Sequence, residues 1–158
     1  MTAALQQVVT FRLGDDRFAG DVAAVERVLR YTKPTALPNL PAWLEGVIEH
    51  QGKVVPVVDL RARFGLERRD PRPETRIIIF ATGEEWIGAV VDAVLEVATI
   101  PADRVAEPPK VFRGLKAAYL RGLVRQDDGL IIFLDVPHLL NASERLELKR
   151  AVKAAKDD

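Results

Sequence analysis

The chain states one pattern twice, and that repeat limits what it can fold into more than any other feature. Phe11-Arg12-Leu13-Gly14-Asp15-Asp16, leading to Val22 and Val25, returns as Phe80-Ala81-Thr82-Gly83-Glu84-Glu85, leading to Val91 and Val94. Trp43-Leu44-Glu45-Gly46-Val47 returns as Tyr119-Leu120-Arg121-Gly122-Leu123. Gly52 with Val54-Val55-Pro56-Val57-Val58-Asp59 returns as Gly129 with Leu130-Ile131-Ile132-Phe133-Leu134-Asp135. Each half reads strand, Gly-acidic turn, strand, long connection, aromatic-Leu-charge-Gly, strand, turn, and a strand ending in Asp. The unit is too long for a solenoid repeat. It predicts two related all-β subdomains with a cleft between them. The repeated positions are core and turn positions and include no catalytic cluster, which favours a binding module.

Short apolar runs between Gly and Pro turns favour barrels or sandwiches over α/β units. The expected strands are Val8–Leu13, Arg17–Gly20, Trp43–Glu49, Val54–Asp59, Arg76–Ala81, Glu85–Val91, Val94–Thr99, Tyr119–Arg125 and Leu130–Asp135. Asp21 is placed to cap a short helix carrying Val22, Val25, Val28 and Leu29 on one face; the alternative is an extended Val25–Tyr31. Pro56 has no N–H, so its strand is expected at a sheet edge or beside a bulge. Leu60–Phe64 forms a helical turn stopped by Gly65. Lys33–Pro41 and Pro101–Lys110 are proline-punctuated connections, and Glu67–Glu74 is the expected boundary between halves. Asn141 followed by Glu144 reads as a capping box for a last helix from Ala142 to about Ala155, with Lys153–Asp158 frayed.

The 158 residues suffice for one domain or two small units sharing a core. The 23 basic and 23 acidic residues cancel, whereas a nucleic-acid binder carries a clustered basic excess. The one basic run, Arg61, Arg63, Arg68 and Arg69, reads as the coat of a solvated helix end and loop rather than a phosphate contact. Cysteine is absent, which excludes disulfides, thiolate metal sites and a cysteine nucleophile. The two histidines, His50 and His138, form no metal-binding spacing. No apolar run reaches membrane-spanning length, and the N-terminus lacks signal-peptide character. No phosphate loop or nucleophile elbow occurs. Asp59 and Asp135 end equivalent strands before short helices, which makes them N-caps rather than a catalytic pair.

Leu37-Pro38-Asn39-Leu40-Pro41-Ala42-Trp43-Leu44-Glu45-Gly46-Val47-Ile48, then Gly52, Val54 through Arg61, and Phe64-Gly65, resembles the core motif of the CheW family of chemotaxis coupling proteins. Trp86 through Asp92 and Tyr119-Leu120-Arg121-Gly122 extend the resemblance over about Val8 to Leu140. The resemblance implies two SH3-like, five-stranded β-barrels on a shared hydrophobic core. As boundaries it suggests a first barrel of about 18–66 plus the C-terminal strand region, a second of about 74–135, and a helix over 142–158. It implies a non-enzymatic, cofactor-free cytoplasmic adaptor. The partners implied are the regulatory domain of a CheA-type histidine kinase and the cytoplasmic tip of methyl-accepting chemoreceptors. An array or ring assembly follows, held to the membrane only through partners. The alternative is a diverged scaffold of a non-classical pathway, such as surface or twitching motility, with one partner lost or changed.

Family members commonly read Asn-Leu-Arg-Gly where this chain has Glu49-His50-Gln51-Gly52, and Val-x-Glu-Ile where it has Val25-Glu26-Arg27-Val28. Arg27 and Gln51 therefore alter both charges that the resemblance places at the partner-facing groove. This predicts altered partner choice. The candidate interface residues are Val25, Arg27, Val28, Gly46, Val47, Gln51 and Gly88. Val25, Val28 and Val47 suit an apolar docking surface or the core. Gly46 and Gly88 suit either close approach at an interface or a bulge or barrel corner. Trp43 and Trp86 suit binding, although the match of Trp43 to Tyr119 favours a structural role.

Overall fold

The computed structural model describes residues 4–83, 85–109, 111–112, 115–126 and 129–157. Glu84 of the second Gly-acidic turn, Lys110 at the end of the second connection, and Asp158 lie outside them, as do the first three residues. The strands in chain order are β1 (Leu5–Leu13), β2 (Asp16–Asp21), β3 (Val25–Arg30), β4 (Leu44–His50) and β5 (Lys53–Asp59). They continue with β6 (Arg76–Thr82), β7 (Glu85–Val91), β8 (Ala93–Pro101) and β9 (Val105–Ala106). The last four are β10 (Val111–Phe112), β11 (Leu115–Lys116), β12 (Leu120–Gln126) and β13 (Gly129–Leu134). Helix α1 spans Leu60–Arg63 and α2 spans Ala142–Asp157.

Apart from the two-stranded β10-β11 sheet, the strands form one sheet ordered β8-β1-β2-β13-β12-β9 and another ordered β3-β6-β7-β5-β4. The all-β architecture of two similar subdomains follows the repeat, but neither sheet closes into a barrel in this order. The pairing also differs from the expected boundaries of 18–66 and 74–135. The hairpin β6–β7 of the second half lies between β3 and β5 of the first half. The hairpin β1–β2 of the first half lies between β8 and β13 of the second. Each half therefore lends its leading hairpin to the other. The two parallel joins carry this symmetry residue by residue. Val57 stands opposite Gly88 in one, and Phe133 opposite Ala19 in the other. Asp59 N–H donates to Trp43 C=O at 2.8 Å, and Asp135 N–H donates to Tyr119 C=O at 2.8 Å.

Both faces of the central strands are buried, which explains their unbroken apolar runs. On β6, Ile77 and Ile79 point into a small core with Val55 and Val57, inside the curl of the five-stranded sheet. Ile78 and Phe80 point the other way, into the core shared by both sheets. The six-stranded sheet has its own inner core of Val8, Ala19, Ile100, Val124, Ile131 and Phe133. Phe11, Phe18, Leu60 and Leu134 join the shared core from the remaining elements, and Leu148 of α2 covers it. Burying each such side chain contributes about 1.5–3 kcal/mol.

The glycine in each aromatic-Leu-charge-Gly motif has a steric cause. A Cβ on Gly46, whose φ is +149°, would strike the C=O of Thr35 in the incoming connection. A Cβ on Gly122 would strike Val105 and Ala106 of β9. At each place the connection crosses its strand too closely for a side chain. Thr35 N–H donates to Val47 C=O at 2.8 Å, and Val47 N–H returns to Thr35 C=O at 2.9 Å.

Two local alternatives are decided and one expectation changes. Asp21 caps only a 3-10 turn, Val22–Ala24, by accepting from Ala23 N–H at 2.9 Å, and the chain then extends as β3. Pro56 lies on an interior strand, opposite Val47 and next to the bulge at Leu44/Gly46. Val47 turns its own polar groups outward to Thr35, so the missing N–H removes no bond to β4. Asp59 caps α1 through Arg61 N–H at 3.0 Å, but Asp135 makes no such cap and pairs with His138 at 2.7 Å. The capping box is present in both directions. Glu144 N–H donates to Asn141 Oδ1 at 2.8 Å and Asn141 N–H donates to Glu144 Oε1 at 2.9 Å.

Candidate interaction surface

Strand β3 is an edge of its sheet, paired only with β6. A bulge between Val25 and Arg27 shifts the register there. Val25 packs against the shared core, while Glu26 and Arg27 are exposed and Val28 is 40% exposed. Val28 stands opposite Ile78, so it lies on the sheet face that leads into the shared core. Among the described residues no strand pairs with the outer side of β3, which is the side a partner strand would meet.

The repeat gives β3 a counterpart that the sequence reading missed. Strand β8 is the edge of the six-stranded sheet, with its own bulge opposite Thr10/Phe11. Val94 packs against the shared core as Val25 does. Leu95 is 42% exposed and Val97 is 59% exposed. The signal was available, since Val94 and Val97 hold the repeat positions of Val25 and Val28. Glu96 stands where Arg27 stands, so the two edges carry opposite charges at matched places.

The remaining candidates divide. Arg27, Gly88 and Gly46 lie on one row across the sheet. Arg27 faces Ile79, Ile79 faces Gly88, Gly88 faces Val57, and Val57 faces Gly46. Only Arg27 reaches the surface. Gly88 is buried, where a Cβ would meet Ile77 at 3.1 Å and Val57 at 3.3 Å. Gly46 and Val47 are buried beneath the Thr35 crossing. Gln51 sits beyond the row, in the two-residue turn between His50 and Lys53, with φ +50° followed by Gly52 at +78°. Its side chain is exposed. The turn is type I′ in character, and a non-glycine residue at positive φ carries a local conformational cost. The structure therefore does not place Arg27 and Gln51 on one row.

Arg61 and Arg63 of the basic run form clasps, whereas Arg68 and Arg69 are exposed as a solvated coat would be. Arg61 donates from Nε to Asp92 Oδ1 at 2.9 Å and from Nη2 to Asp92 Oδ2 at 2.5 Å. Gly14 N–H donates to the same carboxylate at 2.7 Å. The clasp ties α1 to the β1–β2 turn and to the link between β7 and β8. Burial opposes ionisation of Asp92, but the bonds from Arg61 and Gly14 and the charges of Arg61 and Arg69 outweigh it. Its carboxyl is held below the usual aspartate range. Arg63 lies between Trp43, 4.8 Å from the ring centre, and Tyr119 at 5.1 Å. It grips both Glu144 oxygens at 2.6 Å and Leu139 C=O at 3.1 Å. The repeated aromatic thus forms a cation–π slot that fixes α2.

A third polar contact closes the curl of the five-stranded sheet. Tyr31 Oη donates to Glu45 Oε2 at 3.0 Å. Burial first, then the charge and bond of Glu45, pushes the Tyr31 hydroxyl up to about 12. Burial also raises the Glu45 carboxyl, helped by the charge of Asp59 and opposed by Tyr31 and Arg68. Trp86 is partly buried, with His50 tilted against it at 5.7 Å and Lys53 over its face at 4.2 Å. Among the described residues, no group of three or more His, Cys, Asp or Glu is placed to hold a metal ion. Among them too, no helix is long and apolar enough to cross a membrane.

Comparison with known proteins places this geometry. The CheW-like domain family matches residues 7–144. The probable chemotaxis protein CheW of Rhizobium etli is 30% identical, over 88% of this chain and 90% of its own length. Protein FrzA of Myxococcus xanthus is 35% identical, over 92% of this chain and 88% of its own. The crystal structure of the scaffolding protein TtCheW from Thermoanaerobacter tengcongensis superposes with a TM-score of 0.83 at 32% identity. It covers 90% of this chain and 94% of that one. The chain belongs to the CheW-like domain family.

Proposed function

We propose that this protein is a non-enzymatic adaptor that couples chemoreceptors to a CheA-type histidine kinase. The observation that carries the reading is the pair of repeat-related edge strands, β3 and β8. They expose Val28, Leu95 and Val97 in the same strands as Val25 and Val94, which pack against the shared core. Such edges suit strand-to-strand or helix-in-groove recognition. The polar residues that cluster tightly elsewhere are engaged in clasps, which is the chemistry of a rigid binding scaffold.

The test is a bridging assay. The kinase regulatory domain should sediment with receptor-tip assemblies only when this chain is added. Val28→Asp and Val97→Asp should each weaken receptor capture by roughly tenfold, as expected for loss of an apolar contact near the centre of an interface. Bridging that survives both changes at full strength would move the surface elsewhere.

A second reading, a related scaffold with one partner changed, draws on Arg27 and Gln51. It also draws on 35% identity to FrzA, against 30% to the Rhizobium etli protein. Arg27→Glu with Gln51→Arg should then shift binding toward a conventional receptor tip. Capture of one partner without the other distinguishes the readings.

A further inference from the structure

We propose that the groove between the second half of α2 and the hairpin ends of the five-stranded sheet binds a small amphiphilic carboxylate. The groove has a volume of about 400 Å³. That size is suited to a small organic ligand rather than to a lone ion or a water. Its floor is apolar, made by Pro56 and Ile87 beside the Trp86 ring, and Val152 of α2 forms the opposite wall. Among the described lining residues, the ammonium groups of Lys53, Lys149 and Lys153 stand around the opening with the carboxylate of Glu85. Glu85 is engaged with Lys149 at 2.8 Å. Lys53 lies over Trp86 at 4.2 Å, which sets a cation at the border between floor and opening.

Lys53 and Lys153 beside an apolar floor select the ligand. A neutral apolar molecule gains the floor but nothing from the lysines. A cation is repelled by them. A small polar anion meets the lysines but leaves the Trp86 floor uncovered. A carboxylate on an alkyl or aryl body satisfies both. Position adds a consequence. Helix α2 is clamped at its N-terminal end by the Asn141–Glu144 box and by Arg63. Farther along, Leu148 reaches the shared core and Val152 meets the groove. A ligand bridging Val152 to Trp86 therefore fastens the second half of α2 to the sheet. The groove lies at the β4–β5 and β6–β7 hairpin ends, on strands other than the β3 and β8 edges.

Decanoate, titrated into the full chain below its micellar concentration and followed by two-dimensional NMR, tests the proposal. The expected result is saturable movement of the Trp86 indole and the Leu148 and Val152 methyl signals. Slower amide exchange in the second half of α2 should accompany it. Decanol and decyltrimethylammonium should bind more weakly. The double variant Lys53→Ala, Lys153→Ala should weaken decanoate roughly fivefold at low salt and less at high salt. Val152→Glu should abolish binding while the circular dichroism stays native. The proposal is overturned if the signals do not saturate, if they move at another site, if decanol binds as tightly, or if the double lysine variant binds unchanged.

Discussion

Single residues hold this fold at a few sharply defined points. Gly46 and Gly122 each face the backbone of an incoming connection. Gly46→Ala should cost on the order of 3 kcal/mol, because both the contact and the positive φ oppose a side chain. Gly52→Ala, at an open turn with nothing within 4 Å, should cost only about 1 kcal/mol from its φ alone. Urea unfolding of the two variants checks the ordering, and equal losses would contradict it. Asp92 gives a pH signature. Its folded carboxyl lies below the ordinary 3.8, so its contribution is present above that value and lost as pH falls through the folded value. Asp92→Asn should therefore be less stable than the parent near neutrality. The gap should narrow only below about pH 3.8, measured by thermal unfolding against pH. Glu45 acts with the opposite sign. Its raised carboxyl makes the ionised form costly, and protonation relieves that as pH falls toward the ordinary 4.5. These polar sites were the least legible part of the sequence. Asp92 corresponds to Ala23 in the repeat, Arg61 to Pro137, and Glu45 to Arg121. A repeat reveals what two halves share, and the clasps lie where they differ.

At the scale of elements, strands and turns followed from alternation, Gly and Pro, while their neighbours did not. The Asn141–Glu144 box was legible because capping is local chemistry, complete within four residues. Asn141→Ala should lower α2 content and cost about 1 kcal/mol. Far-ultraviolet circular dichroism and amide exchange over α2 read both effects, and an unchanged helix would refute the cap. Of the two readings of this stretch, the extended Val25–Tyr31 holds and the helical one does not, because the four apolar positions suited either period. The open edge of β6 favoured the extended form. Pro56 sits next to a bulge, one of the two settings expected for it, and the Val47–Thr35 pairing lets it lie on an interior strand. Of the candidate interface, the β3 residues Arg27 and Val28 are exposed. Gly46, Val47 and Gly88 are buried within the sheet. Gly88 in particular faces Ile77 and Val57 inside the curl.

For the whole molecule the consequence of the repeat is interdependence. A boundary in the 67–74 loop looks natural in the sequence, yet the five- and six-stranded sheets each contain strands from both sides of it. Sequence similarity between halves cannot say whether a hairpin joins its own half or the other, because both choices offer the same apolar faces. A chain cut in that loop should give two fragments that are unfolded alone and recover native structure on mixing. A fragment that folds by itself would contradict the exchanged pairing. The intact chain should unfold in one cooperative transition. The same exchange makes the two edges, β3 and β8, parts of one rigid body, as an adaptor with two partners requires. The most direct test of that role is calorimetric titration of the folded chain with the regulatory domain of a CheA kinase from the same organism. The account predicts saturable one-to-one binding that weakens as salt is raised. Absence of any binding heat across temperatures, with the protein shown to be folded, would contradict the coupling function.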